Sequence, residues 1–173
     1  PVANAADRVG NFGLIDAAGD FHQLSKYGHQ NALVIVAQVN GCELNYNQNH
    51  KYKLLETTYK DRGVSFVMLN ASDERNAVKS EAQAFDYAWP IMMDDTQLVA
   101  ESLGISKAGE VVVLNPSRSE ILYRGPIDTQ GRGDEPSTTH LSDSIEKAIA
   151  GDSRNLRTTV VAADGCDIEF SSR

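Results

Sequence analysis

The sequence predicts an α/β fold: a mixed central β-sheet flanked by helices, with an N-terminal β-hairpin extension and a C-terminal tail. Three observations predict it. The run Ala32-Leu33-Val34-Ile35-Val36-Ala37 is apolar, rich in β-branched residues, and suits a central strand buried on both faces. Strand-like and helix-like stretches then alternate, which implies parallel pairing through right-handed crossovers. Late in the chain, two apolar stretches flank the turn Asn115-Pro116-Ser117-Arg118, and such a hairpin adds antiparallel strands to the same sheet.

Residues 1–10 are small and polar and read as a flexible lead, residues 11–150 as the domain, and residues 151–173 as a tail carrying Cys166. Within the domain, residues 11–16 and 21–24 flank Ala17-Ala18-Gly19-Asp20 as a small hairpin. After the strand at 32–37, Tyr52, Leu55 and Tyr59 recur at helical spacing, and Gly63 stops that helix. Residues 64–69 form the next strand. Ser72-Asp73-Glu74 opens a helix over 76–88, ahead of Trp89-Pro90, a pair that either lines the Cys42 region or fills the core. Residues 91–93 are short and extended. Asp94-Asp95 caps a helix over 96–103 that Gly104 ends, and 111–114 and 121–124 are the hairpin strands. Residues 138–150 form an amphipathic helix with Leu141, Ile145 and Ile149 on one face.

Composition narrows the function classes. With 16 basic against 24 acidic residues the net charge is −8, and the basic residues are scattered. Nucleic acid is therefore not an expected partner, because phosphate binding rests on clustered Lys and Arg. No apolar run approaches the roughly 18–20 residues of a membrane span. The opening Pro1-Val2-Ala3-Asn4-Ala5-Ala6 resembles the end left by signal-peptide removal, although a trimmed chain would look the same. The four histidines, His22, His29, His50 and His140, lack metal-ligand spacing, so neither a metal nor another cofactor is expected.

Chemistry concentrates at Cys42. A buried strand running through a short turn into a helix delivers the turn residue to the sheet's carboxyl edge, where catalytic sites collect. Backbone N–H groups and the helix dipole there favour a thiolate. A buried structural cysteine is the competing reading.

Phe12-Gly13-Leu14-Ile15-Asp16 with Gly19, the strand before Cys42, and Tyr59-Lys60-Asp61-Arg62-Gly63-Val64-Ser65-Phe66-Val67 resemble the redoxin group of the thioredoxin superfamily. That group includes peroxiredoxin-like (alkyl hydroperoxide reductase/thiol-specific antioxidant) proteins and exported TlpA/ResA-type oxidoreductases. A bacterial subgroup is closer still, with a segment like Tyr123-Arg124-Gly125-Pro126-Ile127-Asp128 and a Gly-Cys pair near the C-terminus, here Gly165-Cys166. The resemblance spans about residues 11 to 168 and implies a thioredoxin-like fold. The active site departs from the family pattern. Asn45 stands where a second cysteine would complete Cys-x-x-Cys, and Glu43 replaces the proline after the cysteine. Ile35 and Val39 occupy the proline and Thr/Ser positions of a peroxidase motif, and Gly109 occupies the place of the usual cis-proline. Tyr46 at the fourth position after Cys42 disfavours the copper site of Sco-type chaperones, which share the fold.

The resemblance implies extracytoplasmic thiol–disulfide or peroxide chemistry in the periplasm or as a secreted protein. Cys42 would be the reactive thiol, Cys166 a resolving or structural partner, and Arg124 a group stabilising a thiolate or peroxide oxygen. A Cys42–Cys166 disulfide, a catalytic pair and two unconnected thiols are all open. The alternative function is a non-catalytic accessory subunit stapled by that disulfide. The partner would be a protein thiol or disulfide, or a larger extracytoplasmic assembly.

Overall fold

The computed structural model describes residues 6–128, 140–151 and 157–172. In chain order the elements are β1 (Asp7–Arg8), the hairpin β2 (Gly13–Ile15) and β3 (Phe21–Gln23), β4 (Ala32–Ala37), α1 (Glu43–Tyr59), β5 (Val64–Asn70), α2 (Arg75–Phe85), β6 (Ile91–Met93), α3 (Leu98–Leu103), β7 (Val111–Asn115), β8 (Glu120–Gly125), α4 (His140–Ala150) and β9 (Thr159–Val160). The main sheet has the order β6-β5-β4-β7-β8, with β1 and β9 both paired to β8. Strands β4, β5 and β6 are parallel, while β7 and β8 run antiparallel, so the sheet is mixed as expected.

The period of two in β4 divides one apolar run between two cores. Val34 and Val36 pack with Tyr52, Leu55 and Tyr59 of α1 and with Leu141, Ile145 and Ala148 of α4. Leu33, Ile35 and Ala37 pack on the opposite face with Val99, Ala100 and Leu103 of α3. Trp89 belongs to the first core, its ring centroid 5.0 Å from that of Phe66 and 5.9 Å from that of Tyr52.

Two boundaries differ from the sequence reading for local reasons. α2 ends at Phe85, short of residue 88, because Asp86 turns into the left-handed region at φ 56°. α3 begins at Leu98 because Gln97 takes φ 63° and Asp94 supplies the cap, accepting the Ala100 N–H at 2.7 Å and the Val99 N–H at 3.4 Å. Asp95 is exposed and takes no part in that printed cap. At the other end, residues 138 and 139 of the last expected helix lie outside the described residues.

Both ends of the chain join the sheet. Asp7 and Arg8 of the expected lead pair with Ile121 and Glu120 of β8, and Val9 is buried. The tail adds β9, which pairs in parallel with Tyr123 and Arg124. No periodicity announces a two-residue strand of this kind. It leads the tail back across the carboxyl end of β4.

Candidate active site

The turn that carries Cys42 is held from both sides. β4 ends at Ala37, and Gln38 follows with a fully buried side chain. Its Nε2 donates to Glu81 Oε2 at 2.7 Å, and its Oε1 accepts from Asn70 Nδ2 at 2.7 Å. Two carboxylates take the next backbone N–H groups: Asn40 donates to Asp73 Oδ2 at 2.9 Å and Gly41 to Glu81 Oε1 at 2.7 Å. Cys42 is then the N-cap of α1 and is only 1% exposed. Its own N–H donates to Val39 O at 3.2 Å, which closes the turn.

Asn45, at the position of a second thioredoxin cysteine, has a structural task. Its Oδ1 accepts the Val39 N–H at 3.3 Å, and its Nδ2 donates to Ala37 O at 3.1 Å and to the Tyr52 hydroxyl at 3.3 Å. The side chain is fully buried and ties the end of β4 to the first turn of α1. Burial pushes the Tyr52 hydroxyl up to about 12, against the Asn45 bond, so it stays neutral within this network.

The facing wall is the loop 106–110. Glu110 Oε1 accepts the N–H groups of Ser106 at 2.9 Å and Lys107 at 2.8 Å, together with the Ser106 hydroxyl at 3.1 Å. One carboxylate thus shapes the loop. Gly109, at the expected proline position, has φ +93° and donates to Ala37 O at 2.8 Å. The left-handed backbone favours glycine there, and a Cβ would come within 2.5 Å of Leu44 Cδ2 and push that side chain aside. No cis peptide occurs among the described residues.

Cys166 lies against this wall and is disulfide-bonded to Cys42, with Cα atoms 5.9 Å apart across 124 residues of sequence. The tail runs antiparallel to the loop: Ala108 donates to Cys166 O at 2.8 Å, and Ile168 donates to Ser106 O at 2.9 Å. Lys107 and Asp167 pair alongside, and Ile168 is buried in the second core. Gly165 makes the approach sterically possible, since a Cβ there would sit 2.0 Å from Ala108 O. Farther on, the buried Gln97 amide donates to Glu169 O at 2.9 Å and accepts the Ser171 N–H at 2.8 Å.

Of the sequence-derived candidates, the structure brings Cys42 and Cys166 together. Arg124 projects from β8 to a different place, donating from Nη1 to Leu103 O at 2.9 Å, where its charge meets the carbonyl end of α3. Among the described residues, no group of three or more His, Cys, Asp or Glu could hold a metal ion. Glu81, Gln97 and Glu110 escape sequence reasoning, because each acts on backbone groups of another segment or of its own loop and leaves no spacing to recognise.

A cavity of about 440 Å³ lies beside the tail, with Val39, Asp73, Asp95, Gln97, Asp167 and Glu169 in its lining. Four carboxylates line it, of which Asp167 pairs with Lys107, and they give the surface beside the tail a negative character.

The Redoxin family model matches residues 4–145. Among curated proteins none matches the sequence. A hypothetical protein from Sinorhizobium meliloti superposes with a TM-score of 0.79 at 21% identity, covering 100% of this chain and 98% of that one. An uncharacterized conserved protein from Geobacillus kaustophilus gives 0.79 at 21% identity, over 99% and 95%. The thioredoxin domain of a thiol-disulfide oxidoreductase from Bacteroides vulgatus gives 0.63 at 18% identity, over 84% and 99%. At these identities the likeness is one of fold.

Proposed function

The chain belongs to the Redoxin family, and we propose on that premise that it performs thiol–disulfide exchange outside the cytoplasm, with Cys42 as the reactive thiol and Cys166 as its resolving partner. One observation carries the reading. Cys42 caps the N-terminus of α1 at the carboxyl end of the central strand, and it is bonded to a cysteine on a docked tail rather than to one in its own helix.

The environment supports an order of events. Cys42 is buried beneath the tail and Cys166 half-buried, so exchange at Cys42 begins as the tail gives way locally. An incoming thiolate attacks the Cys42 sulfur, the S–S bond breaks, a mixed disulfide forms on Cys42, and Cys166 leaves as a thiolate and takes up a proton. A second thiolate then attacks the partner's sulfur in the mixed disulfide, releasing the oxidised partner. Cys42 leaves as the thiolate, which N–H groups at the helix start stabilise. Two thiols are oxidised to one disulfide as the protein disulfide becomes a dithiol. The four carboxylates around the adjoining cavity favour a neutral or cationic thiol over an anionic one. A protein thiol whose cysteine has basic neighbours fits this requirement.

Thiol exchange is preferred to peroxide reduction because Arg124, the residue expected to stabilise a peroxide oxygen, donates from Nη1 to Leu103 O at the end of α3, and Val39 stands where a peroxidase motif carries a hydroxyl. A periplasmic or secreted location suits a bridge that must persist, since reducing compartments keep thiols open. The second reading is a permanent staple in a non-catalytic accessory subunit, favoured by the burial of Cys42 and the structural use of Asn45. In the chain-entropy model, a loop of about 100 residues constrains the unfolded chain by up to about 4.7 kcal/mol.

Thiol counting separates the two. The native protein is incubated with mild reductant, its thiols are titrated against pH, and oxidation of a cysteine-containing basic peptide is followed for wild type and Cys42→Ser. Ready reduction, a Cys42 thiol of low pKa and turnover lost in Cys42→Ser support exchange. A bridge that resists reduction until the protein unfolds, with no turnover, supports the staple.

A further inference from the structure

We infer that Gln97 is a positioning residue that keeps Cys166 beside Cys42 whether or not the disulfide is closed. Gln97 is 7% exposed, and its amide is fully committed. Nε2 donates to Ala71 O and to Glu169 O, each at 2.9 Å, while Oε1 accepts the Ser171 N–H at 2.8 Å. One bond goes to the segment after β5 and two go to the tail. The residue adopts a left-handed backbone at φ 63°, uncommon for a non-glycine residue, and that conformation lies at the N-cap of α3.

The tail is therefore fixed along its length by groups other than sulfur. Cys166 O, Ile168 N–H, Glu169 O and Ser171 N–H each have a partner on loop 106–108 or on Gln97. The Ile168 side chain is buried among α3 and sheet residues, and Lys107 pairs with Asp167. Reduction removes one covalent bond and leaves these contacts in place. Cys166 then remains at high effective concentration beside Cys42, so the dithiol recloses readily and the disulfide is correspondingly hard to reduce. The inference deepens the exchange reading by naming what holds its resolving thiol. It concerns an equilibrium, however, and stands or falls separately from turnover.

The test is the midpoint potential of the Cys42–Cys166 couple in the full chain, measured in dithiothreitol buffers, dithiothreitol being an uncharged thiol. Gln97→Ala removes both bonds to the tail and is expected to weaken disulfide formation about tenfold, a rise of about 30 mV for a two-electron couple. Ser171→Pro deletes one N–H donor while leaving the Gln97–Ala71 bond intact, and is expected to weaken it about threefold. Leu98→Ala, at an exposed neighbour, should leave the potential unchanged. Folded Gln97→Ala and Ser171→Pro proteins with wild-type midpoints would overturn the inference. If Gln97→Ala does not fold, Ser171→Pro alone decides it by the same readout. Shifted midpoints together with an absence of thiol turnover would support Gln97 as positioning residue and count against the proposed function.

Discussion

The Glu81 carboxylate of α2 accepts the Gly41 N–H at 2.7 Å, one residue before Cys42. Its other oxygen accepts from Gln38 Nε2 at 2.7 Å, and the Tyr46 hydroxyl donates to Oε1 at 3.3 Å. One side chain thus holds both Gln38 and Gly41 on the approach to the thiol, from an element 40 residues away in sequence. Glu81→Ala leaves the Gly41 N–H and the Gln38 amide without that partner. A cost of about 1–3 kcal/mol in denaturant unfolding is expected. After reduction, Cys42 should alkylate faster, because the turn over it is loosened. Wild-type stability together with a wild-type alkylation rate would remove Glu81 from this role.

Asn45 makes a sharper case because both of its polar ends face backbone. Asn45→Ala leaves the Val39 N–H without its partner and removes one of two donors to the Ala37 carbonyl, which keeps the Gly109 N–H, with an expected loss of about 1–3 kcal/mol. Asn45→Asp should cost more, since it presents a carboxylate to the Ala37 carbonyl and also desolvates a charge. Urea unfolding of the oxidised proteins measures both. An Asn45→Ala variant within about 0.5 kcal/mol of wild type would show that the site tolerates open polar groups.

The contrast between Cys42 and Gln97 shows what the sequence makes legible. The strand before Cys42 and the helix after it are written in local periodicity, so the placement of the thiol at a sheet edge follows from residues 32–59 alone. The order of strands and helices fixes the mixed sheet in the same way. Three arrangements of the two cysteines are open in sequence, and the structure shows them bonded, which suits a permanent bridge and a catalytic pair alike. Gln97 belongs to a different kind of information. Its partners are the backbone groups of Ala71, Glu169 and Ser171, which carry no residue-specific signature and lie 26 to 74 residues away. β9 is hidden for a related reason, being two residues long and defined by pairing with β8. Departures such as Asn45 and Gly109 are visible as substitutions, yet only packing reveals that Asn45 bridges backbone groups and that Gly109 leaves room for Leu44.

Gly165 is the steric gate to the docked tail. A methyl group added there would lie 2.0 Å from Ala108 O, a backbone atom that cannot swing aside. Gly165→Ala should therefore lift the tail from loop 106–108 and slow disulfide re-formation after reduction. Free thiols counted during reoxidation should persist several times longer than in wild type. Gly10→Ala, whose added methyl meets nothing within 4 Å, is the matched control. Equal reoxidation of both variants would mean that the loop yields more readily than its hydrogen bonds imply.

Asp16 and His22 supply a pH dependence remote from the disulfide. Burial raises the Asp16 carboxyl, but the His22 bond at 2.6 Å and the N–H groups of Asp20 and Ala18 outweigh it and hold the group below its ordinary value of 3.8. His22 in turn contacts the Tyr27 hydroxyl through Nδ1 at 2.6 Å, which fixes the ring at the base of the hairpin. A carboxyl depressed in the folded state binds fewer protons there than in the unfolded chain. Its stabilisation is thus complete above pH 3.8 and disappears as the pH falls through the lower folded value. His22→Ala removes the principal opposing contact, so burial should bring the carboxyl back up. Unfolding free energies of the two proteins, measured from pH 6 to pH 2, should then differ most above the unfolded value, with the gap narrowing on acidification. A gap that stays constant across this range would assign the effect of His22 to packing with Tyr27 rather than to the Asp16 charge.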